Sequence, residues 1–193
     1  MAPLIIISGP SGSGKTTVVS ELLRTTHLPI RRAITATTRE PRVGELGERD
    51  YHFWMRDRFE REIAAGGLIE YALVHARDYY GTPRSEVDLY LAQGTGVLLV
   101  IDVQGAEQVR RLHPEAFSIF LRVPSDSYAD RLRERGDDEA AITRRMTSAT
   151  RELERCGEYN YQLVNDRLPE TVARLEDIIA RQFPVRSEDT NAR

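Results

Sequence analysis

Apolar residues in this 193-residue chain gather into short runs separated by longer amphipathic stretches. Four runs stand out: Leu4-Ile5-Ile6-Ile7, Val97-Leu98-Leu99-Val100-Ile101, Ala116-Phe117-Ser118-Ile119-Phe120-Leu121 and Tyr161-Gln162-Leu163-Val164. Continuous apolar runs of this length suit strands buried on both faces of a parallel sheet. After them, apolar positions recur at helical spacing. Thr17 to Thr25 places Val18, Val19, Leu22 and Leu23 on one face, and similar patterns lie near 104–112, 125–135, 138–157 and 168–182. Strands alternating with helices predict an α/β fold, a parallel sheet flanked by helices. Ligands of such sheets bind at the carboxyl ends of the strands, so the turns after Ile7 and Ile101 should face one crevice.

Two stretches interrupt the alternation. Residues 34–84 are rich in Thr, Arg, Gly and Tyr, with short alternating strands around one helix from Asp57 to Ala65. They predict an inserted mixed α/β lobe. Residues 126–148 hold Arg131, Arg133, Arg135, Arg144 and Arg145 on two helical pieces around Gly136-Asp137-Asp138, with Arg122 just before. They predict a helical lid. The expected organisation is a single domain over 1–184, with its core in 1–33, 85–125 and 149–184. The polar, aperiodic stretch 185–193 is expected to be a disordered tail.

Composition narrows the class. At 40% hydrophobic and 30% charged residues, the chain is expected to be soluble and globular. A formal charge of −3 argues against broad nucleic-acid binding. No apolar run approaches a membrane span. The first strand begins almost at Met1, which leaves no room for a signal peptide, and the single Cys156 cannot form an internal disulfide. Both point to the cytoplasm. Cys156 reads as structural filler. Monomer and homodimer remain equally open.

Charge chemistry is uneven. Of 27 Lys and Arg residues, Lys15 is the one lysine. It falls in Gly9-Pro10-Ser11-Gly12-Ser13-Gly14-Lys15-Thr16, which fits the phosphate-binding pattern G-x-x-x-x-G-K-[ST]. Chance would put a lone lysine in that slot about once in two hundred placements. An ammonium is a compact point charge that fits between β- and γ-phosphate oxygens, where a planar guanidinium would crowd. The glycines let backbone N–H groups approach phosphate, and the following helix adds its positive end. The Thr16 hydroxyl suits Mg²⁺. The prediction is a nucleoside triphosphate held on Gly9 to Thr16 with Mg²⁺ beside it.

A second phosphate site lies in the lobe. In Thr35-Ala36-Thr37-Thr38-Arg39-Glu40-Pro41-Arg42-Val43-Gly44-Glu45, Arg39 and Arg42 are three apart around a turn-forming proline. Two guanidiniums so placed can grip one phosphate by paired hydrogen bonds. Tyr51 and Tyr80 can add phenolic donors. A P-loop, a second phosphate site and an arginine-rich lid are the layout of a nucleoside monophosphate kinase.

From about Leu4 to Phe183 the chain resembles the guanylate kinases. The stretches that carry the likeness are GPSGSGKT, TTREPRVGE, RDYHF, LIEYA, YYGT, IDVQG, RLRERG with ITRRM, and LVND. The resemblance implies transfer of the ATP γ-phosphoryl group to GMP, and to dGMP. It implies that Glu70 reads guanine, whose adjacent N1–H and N2–H₂ donors suit one carboxylate, whereas adenine would oppose it with a lone pair. Thr35, Thr82 and Asp102 match further positions near the base. Arg131, Arg135 and Arg145 match lid arginines that reach the transferring group, and Asn165 matches a residue near adenine. Three departures stand out: Val100 where an aspartate near the metal is usual, Arg167 where a second aspartate is frequent, and His52 in an aromatic place, read as packing. With Val100, Mg²⁺ rests on Thr16, phosphates and water, or Asp102 takes part. Two rival readings remain, a ribose 1,5-bisphosphate kinase and a non-catalytic guanylate-kinase-like binding module. Glu70, Thr82 and the arginine pair weigh against the first, and Lys15 with Thr16 and the lid arginines against the second. The lid arginines have a plainer alternative, a charged helix face paired with Glu134, Asp137, Asp138 and Glu139.

Overall fold

The structure is a computed structural model that describes residues 2–74, 77–124, 127–134 and 138–184. The chain runs β1 (Leu4–Ser8), α1 (Lys15–Thr25), β2 (Ile30–Arg32), β3 (Ala36–Thr37), β4 (His52–Phe53), α2 (Arg56–Ala64), β5 (Leu68–Val74) and β6 (Asp78–Pro83). It continues through α3 (Asp88–Ala92), β7 (Gly96–Val100), α4 (Val103–Leu112), β8 (Phe117–Arg122), α5 (Ser127–Glu134), α6 (Glu139–Glu154), β9 (Tyr161–Val164) and α7 (Leu168–Ala180).

The core sheet has the order β2-β7-β1-β8-β9, and every pairing in it is parallel. Alternation along β1 shows why its four apolar residues run together. Ile5 and Ile7 pack with Val18, Val19 and Leu22 of α1 and with Val172, Leu175 and Ile179 of α7. Leu4 and Ile6 pack on the opposite face with Val103, Ala106 and Val109 of α4. A strand covered on both faces needs apolar residues at every position. Cys156 packs half-buried against this second cluster, in line with its reading as filler.

The four expected core strands and their helices are present, with ends moved by no more than three residues. The edge strand β2 was not anticipated. Ile30-Arg31-Arg32 is short, half-buried and two-thirds charged, so it carries neither an apolar run nor alternation. Its place is decided by pairing with Gly96 to Leu98.

A separate four-stranded sheet, β4-β3-β6-β5, is mixed: β3 pairs parallel with β4, whereas β6 pairs antiparallel with β3 and β5. Helix α2 seals it with Phe59, which stacks on Tyr79 at 5.0 Å and meets Trp54 edge-on at 5.8 Å. Among the described residues, no helix is long and apolar enough to cross a membrane.

Candidate active site

The P-loop occupies the turn from β1 into α1, at the carboxyl end of the sheet. Gly9, Gly12 and Gly14 take φ values of +142°, +87° and +84°. Gly9 and Gly14 also need the room: an added Cβ would stand 2.0 Å from the Leu121 carbonyl oxygen at Gly9 and 2.5 Å from Asn165 Nδ2 at Gly14. The Lys15 ammonium donates to the Gly9 carbonyl at 2.5 Å and the Pro10 carbonyl at 3.1 Å, so it lies folded along its own loop. Thr16 is exposed in the first turn of α1.

A cavity of about 270 Å³ joins this loop to the second sheet. Lys15, Thr16, Val100 and Asp102 line it from the core, and Thr35, Tyr51, Glu70 and Tyr80 from the lobe. Glu70 is 5% exposed and accepts a 2.7 Å hydrogen bond from the Thr82 hydroxyl. Burial pushes its carboxyl up to about 7, the Thr82 bond opposes the rise, and the Asp102 carboxylate adds to it. Asp102 caps α4 by accepting from the Gly105 N–H at 2.8 Å. Burial also raises the Tyr51 phenol, with Tyr80 adding and Arg39 opposing.

Arg39 reaches the cavity through Tyr80, donating from Nε to the phenolic oxygen at 3.0 Å. Its fork is closed on the Glu45 carboxylate at 2.9 and 3.0 Å, which holds that carboxyl below its usual range. Arg42 is exposed, and its backbone N–H donates to the same carboxylate at 2.8 Å. Glu45 therefore occupies the Arg39 fork that was expected to grip phosphate. It lay in the TTREPRVGE stretch without an assigned role, because nothing in the spacing says which charge an arginine faces.

The lid arginines divide. Arg131 donates from Nη2 to the Asn165 carbonyl at 2.8 Å, and Arg145 donates to the Ser11 hydroxyl at 2.5 Å. Both therefore reach the P-loop's surroundings. Arg133 pairs with Asp130 and Glu139 at 3.0 Å each, a charged helix face as in the plainer alternative. Arg135 lies outside the described residues. Asn165 is 4% exposed and donates its amide to the Ser13 carbonyl at 2.9 Å, which puts its side chain under the P-loop.

One further residue had no place in the sequence expectations. Glu152 of α6 feels both Lys15 and Asp102, and burial raises its carboxyl. It shares a second cavity, about 190 Å³, with Asp102 and Arg151. His52 packs as expected, its ring stacked on Trp54 at 6.1 Å, and it also meets two carboxylates. Its Nε2 lies 3.1 Å from Glu86 Oε1 and its Nδ1 3.1 Å from Glu48 Oε2.

Residues 1–182 match the family model for guanylate kinase. The chain belongs to the guanylate kinase family. Curated relatives named guanylate kinase agree. The one from Synechococcus sp. (strain CC9902) is 44% identical over 183 residues, covering 94% of this chain and 97% of its own length. The one from Latilactobacillus sakei is 43% identical over 178 residues, covering 91% and 87%. Among solved structures, guanylate kinase from Anaplasma phagocytophilum superposes with a TM-score of 0.77 at 32% identity, over 95% of this chain and 88% of that one. TT1252 from Thermus thermophilus, at 18% identity and a TM-score of 0.53, shares the fold alone. With membership go the P-loop kinase fold and the transferase class: the chain is a nucleotide-binding enzyme of the nucleoside monophosphate kinase kind.

Proposed function

We infer that the chain transfers the γ-phosphoryl group of ATP to GMP, and to dGMP, in the cavity that Lys15 and Glu70 share. The observation that carries this reading is the lining itself. One space of about 270 Å³ is bounded by the P-loop lysine on one side and by Glu70, Thr35, Tyr51 and Tyr80 on the other. A switch or simple ATPase has no use for the second half, and a binding module has none for the first.

The roles follow from chemistry. Residues Gly9 to Thr16 cradle the ATP phosphates, with Lys15 on the β- and γ-oxygens. Asn165 sits beneath this cradle, on the ATP side. Arg39, Arg42, Tyr51 and Tyr80 hold the GMP phosphate, and Glu45 exchanges its place on Arg39 for that phosphate. Glu70, with Thr82, Thr35 and Asp102 around it, accepts from the guanine edge. Arg131, Arg135 and Arg145 bring positive charge over the transferring group. The acceptor is already an anionic oxygen, so no general base is required. Closure of the lid would exclude water and limit loss of ATP by hydrolysis.

The donor set fits Mg²⁺. Among the described residues, no cluster of three or more His, Cys, Asp or Glu could cage a metal. Mg²⁺ is usually held by one or two protein oxygens and by substrate phosphates. Thr16 would supply that oxygen, and Asp102 lines the same cavity. When bound, the ion offsets charge on the β- and γ-phosphates. The lone, half-buried Cys156 is compatible with a reducing cytoplasm.

A coupled assay of ADP release across GMP, dGMP, AMP, UMP and ribose 1,5-bisphosphate tests the reading. Turnover is expected with GMP and dGMP. Turnover with the sugar phosphate and none with GMP would overturn it.

A further inference from the structure

Strand β5 meets helix α4 beside the Glu70 end of the cavity, and the two are fastened together. The Gln108 amide donates from Nε2 to the Tyr71 carbonyl at 2.7 Å and accepts from the Tyr71 N–H at 3.3 Å. One side chain thus imitates a strand partner, and Glu70 is the next residue. Gly105 lies three residues before Gln108, in the first turn of α4 and buried. A Cβ built on it would stand 2.6 Å from Glu70 Oε2 and 3.2 Å from Glu70 Cδ. Its next neighbour, Ile101 Cβ, is at an ordinary 3.5 Å. Gly105 is therefore needed for space and not for an unusual backbone angle. Its N–H also holds Asp102 at 2.8 Å.

We propose that Gly105 is a positioning residue that determines base specificity: its missing side chain leaves the slot in which Glu70 presents its carboxylate to the purine edge. The inference rests on Glu70 being the group that reads guanine. Three elements confine that carboxylate. Gln108 pins the backbone beside it, Thr82 holds Oε1 at 2.7 Å, and Gly105 floors the slot under Oε2. In Gly105→Ala the helix keeps a good former, and Asp102 keeps its N–H partner. What yields is the end of the Glu70 side chain, the softest atom group in the contact. The variant should therefore lose discrimination and keep its fold.

The test compares wild type, Gly105→Ala and Glu70→Gln for kcat/KM with GMP and with inosine monophosphate, which lacks the 2-amino donor. Glu70→Gln should collapse the preference for GMP, because an amide cannot accept both donors. Gly105→Ala should lower kcat/KM for GMP and shrink the GMP preference by about tenfold or more, leaving KM for ATP within about twofold. A preference that survives in Gly105→Ala but collapses in Glu70→Gln overturns the role of Gly105. A preference that survives in Glu70→Gln overturns the reading of Glu70 itself. A stability cycle guards against misfolding. Gly105→Ala should destabilise the protein less in a Glu70→Ala background than in wild type. An equal penalty in both backgrounds would place the clash elsewhere and overturn the proposal.

Discussion

At Glu70, burial and function pull in opposite directions. Burial lifts the carboxyl to about 7, yet the proposed reading of guanine donors needs it ionised. Binding of GMP should then expel a proton below pH 7. KM for GMP is expected to rise about tenfold from pH 8 to pH 6, and Glu70→Gln should remove that slope while the titration of the GMP phosphate persists. The effect on stability has the opposite sign. A folded pKa above the ordinary 4.5 means that this group's contribution is full below that value and is lost as pH rises through about 7. Urea melts of the ligand-free protein should show a loss on the order of 2–3 kcal/mol over that window, reversed by saturating GMP. Lys15 makes a different kind of demand. Lys15→Arg keeps the charge but replaces a point with a fork, and kcat should fall by about 10²- to 10³-fold. An amine-selective reagent offers an independent check, because ATP with Mg²⁺ should protect Lys15 and leave the N-terminal amine reactive.

Among the elements, the P-loop shows how a turn is held by its neighbours. Gly9 passes against β8, and a Cβ there would collide with backbone and not with a movable side chain. Gly14 leaves room for Asn165, whose amide donates to Ser13 and whose carbonyl accepts from Arg131. One residue after β9 thereby links the loop to the lid. Asn165→Ala would strip the buried Ser13 carbonyl of that donor. It should cost about 1–3 kcal/mol in urea denaturation and raise KM for ATP. Asn165→Asp, which turns a donor into an acceptor, should be worse, and equal effects on ATP and GMP would argue against this linkage. The second sheet has its own close approach. A Cβ on Gly81 would stand 2.7 Å from the Glu70 carbonyl, so the glycine of YYGT lets β6 lie tight against β5.

Across the whole molecule, Glu86 ties the core to the lobe. It accepts from Arg31 at 2.6 Å and from the Ile34 N–H at 3.2 Å, and it faces His52 at 3.1 Å. Arg31 and Ile34 lie in β2 and on the passage from it into β3, and His52 lies in β4 of the lobe sheet. Glu86→Ala should cost about 1–3 kcal/mol and raise KM for GMP more than KM for ATP, because it loosens the lobe and leaves the P-loop intact. A proportional rise in both constants would count against this tie between core and lobe. None of this junction was legible beforehand, since Arg31, His52 and Glu86 are separated by 21 and 34 positions and no local pattern links them. The P-loop and the buried strands were legible for the opposite reason. Their chemistry is local: a turn, a helix start and an apolar run each fit within about ten residues. Membership of the family was legible too, because its motifs are contiguous. Tertiary structure alone decided that β2 closes the sheet edge, that Asn165 braces Ser13, that Arg133 is surface charge while Arg145 reaches Ser11, and that Glu45 covers Arg39. Each depends on which groups meet across the fold, and pairing between distant residues leaves no period in the chain.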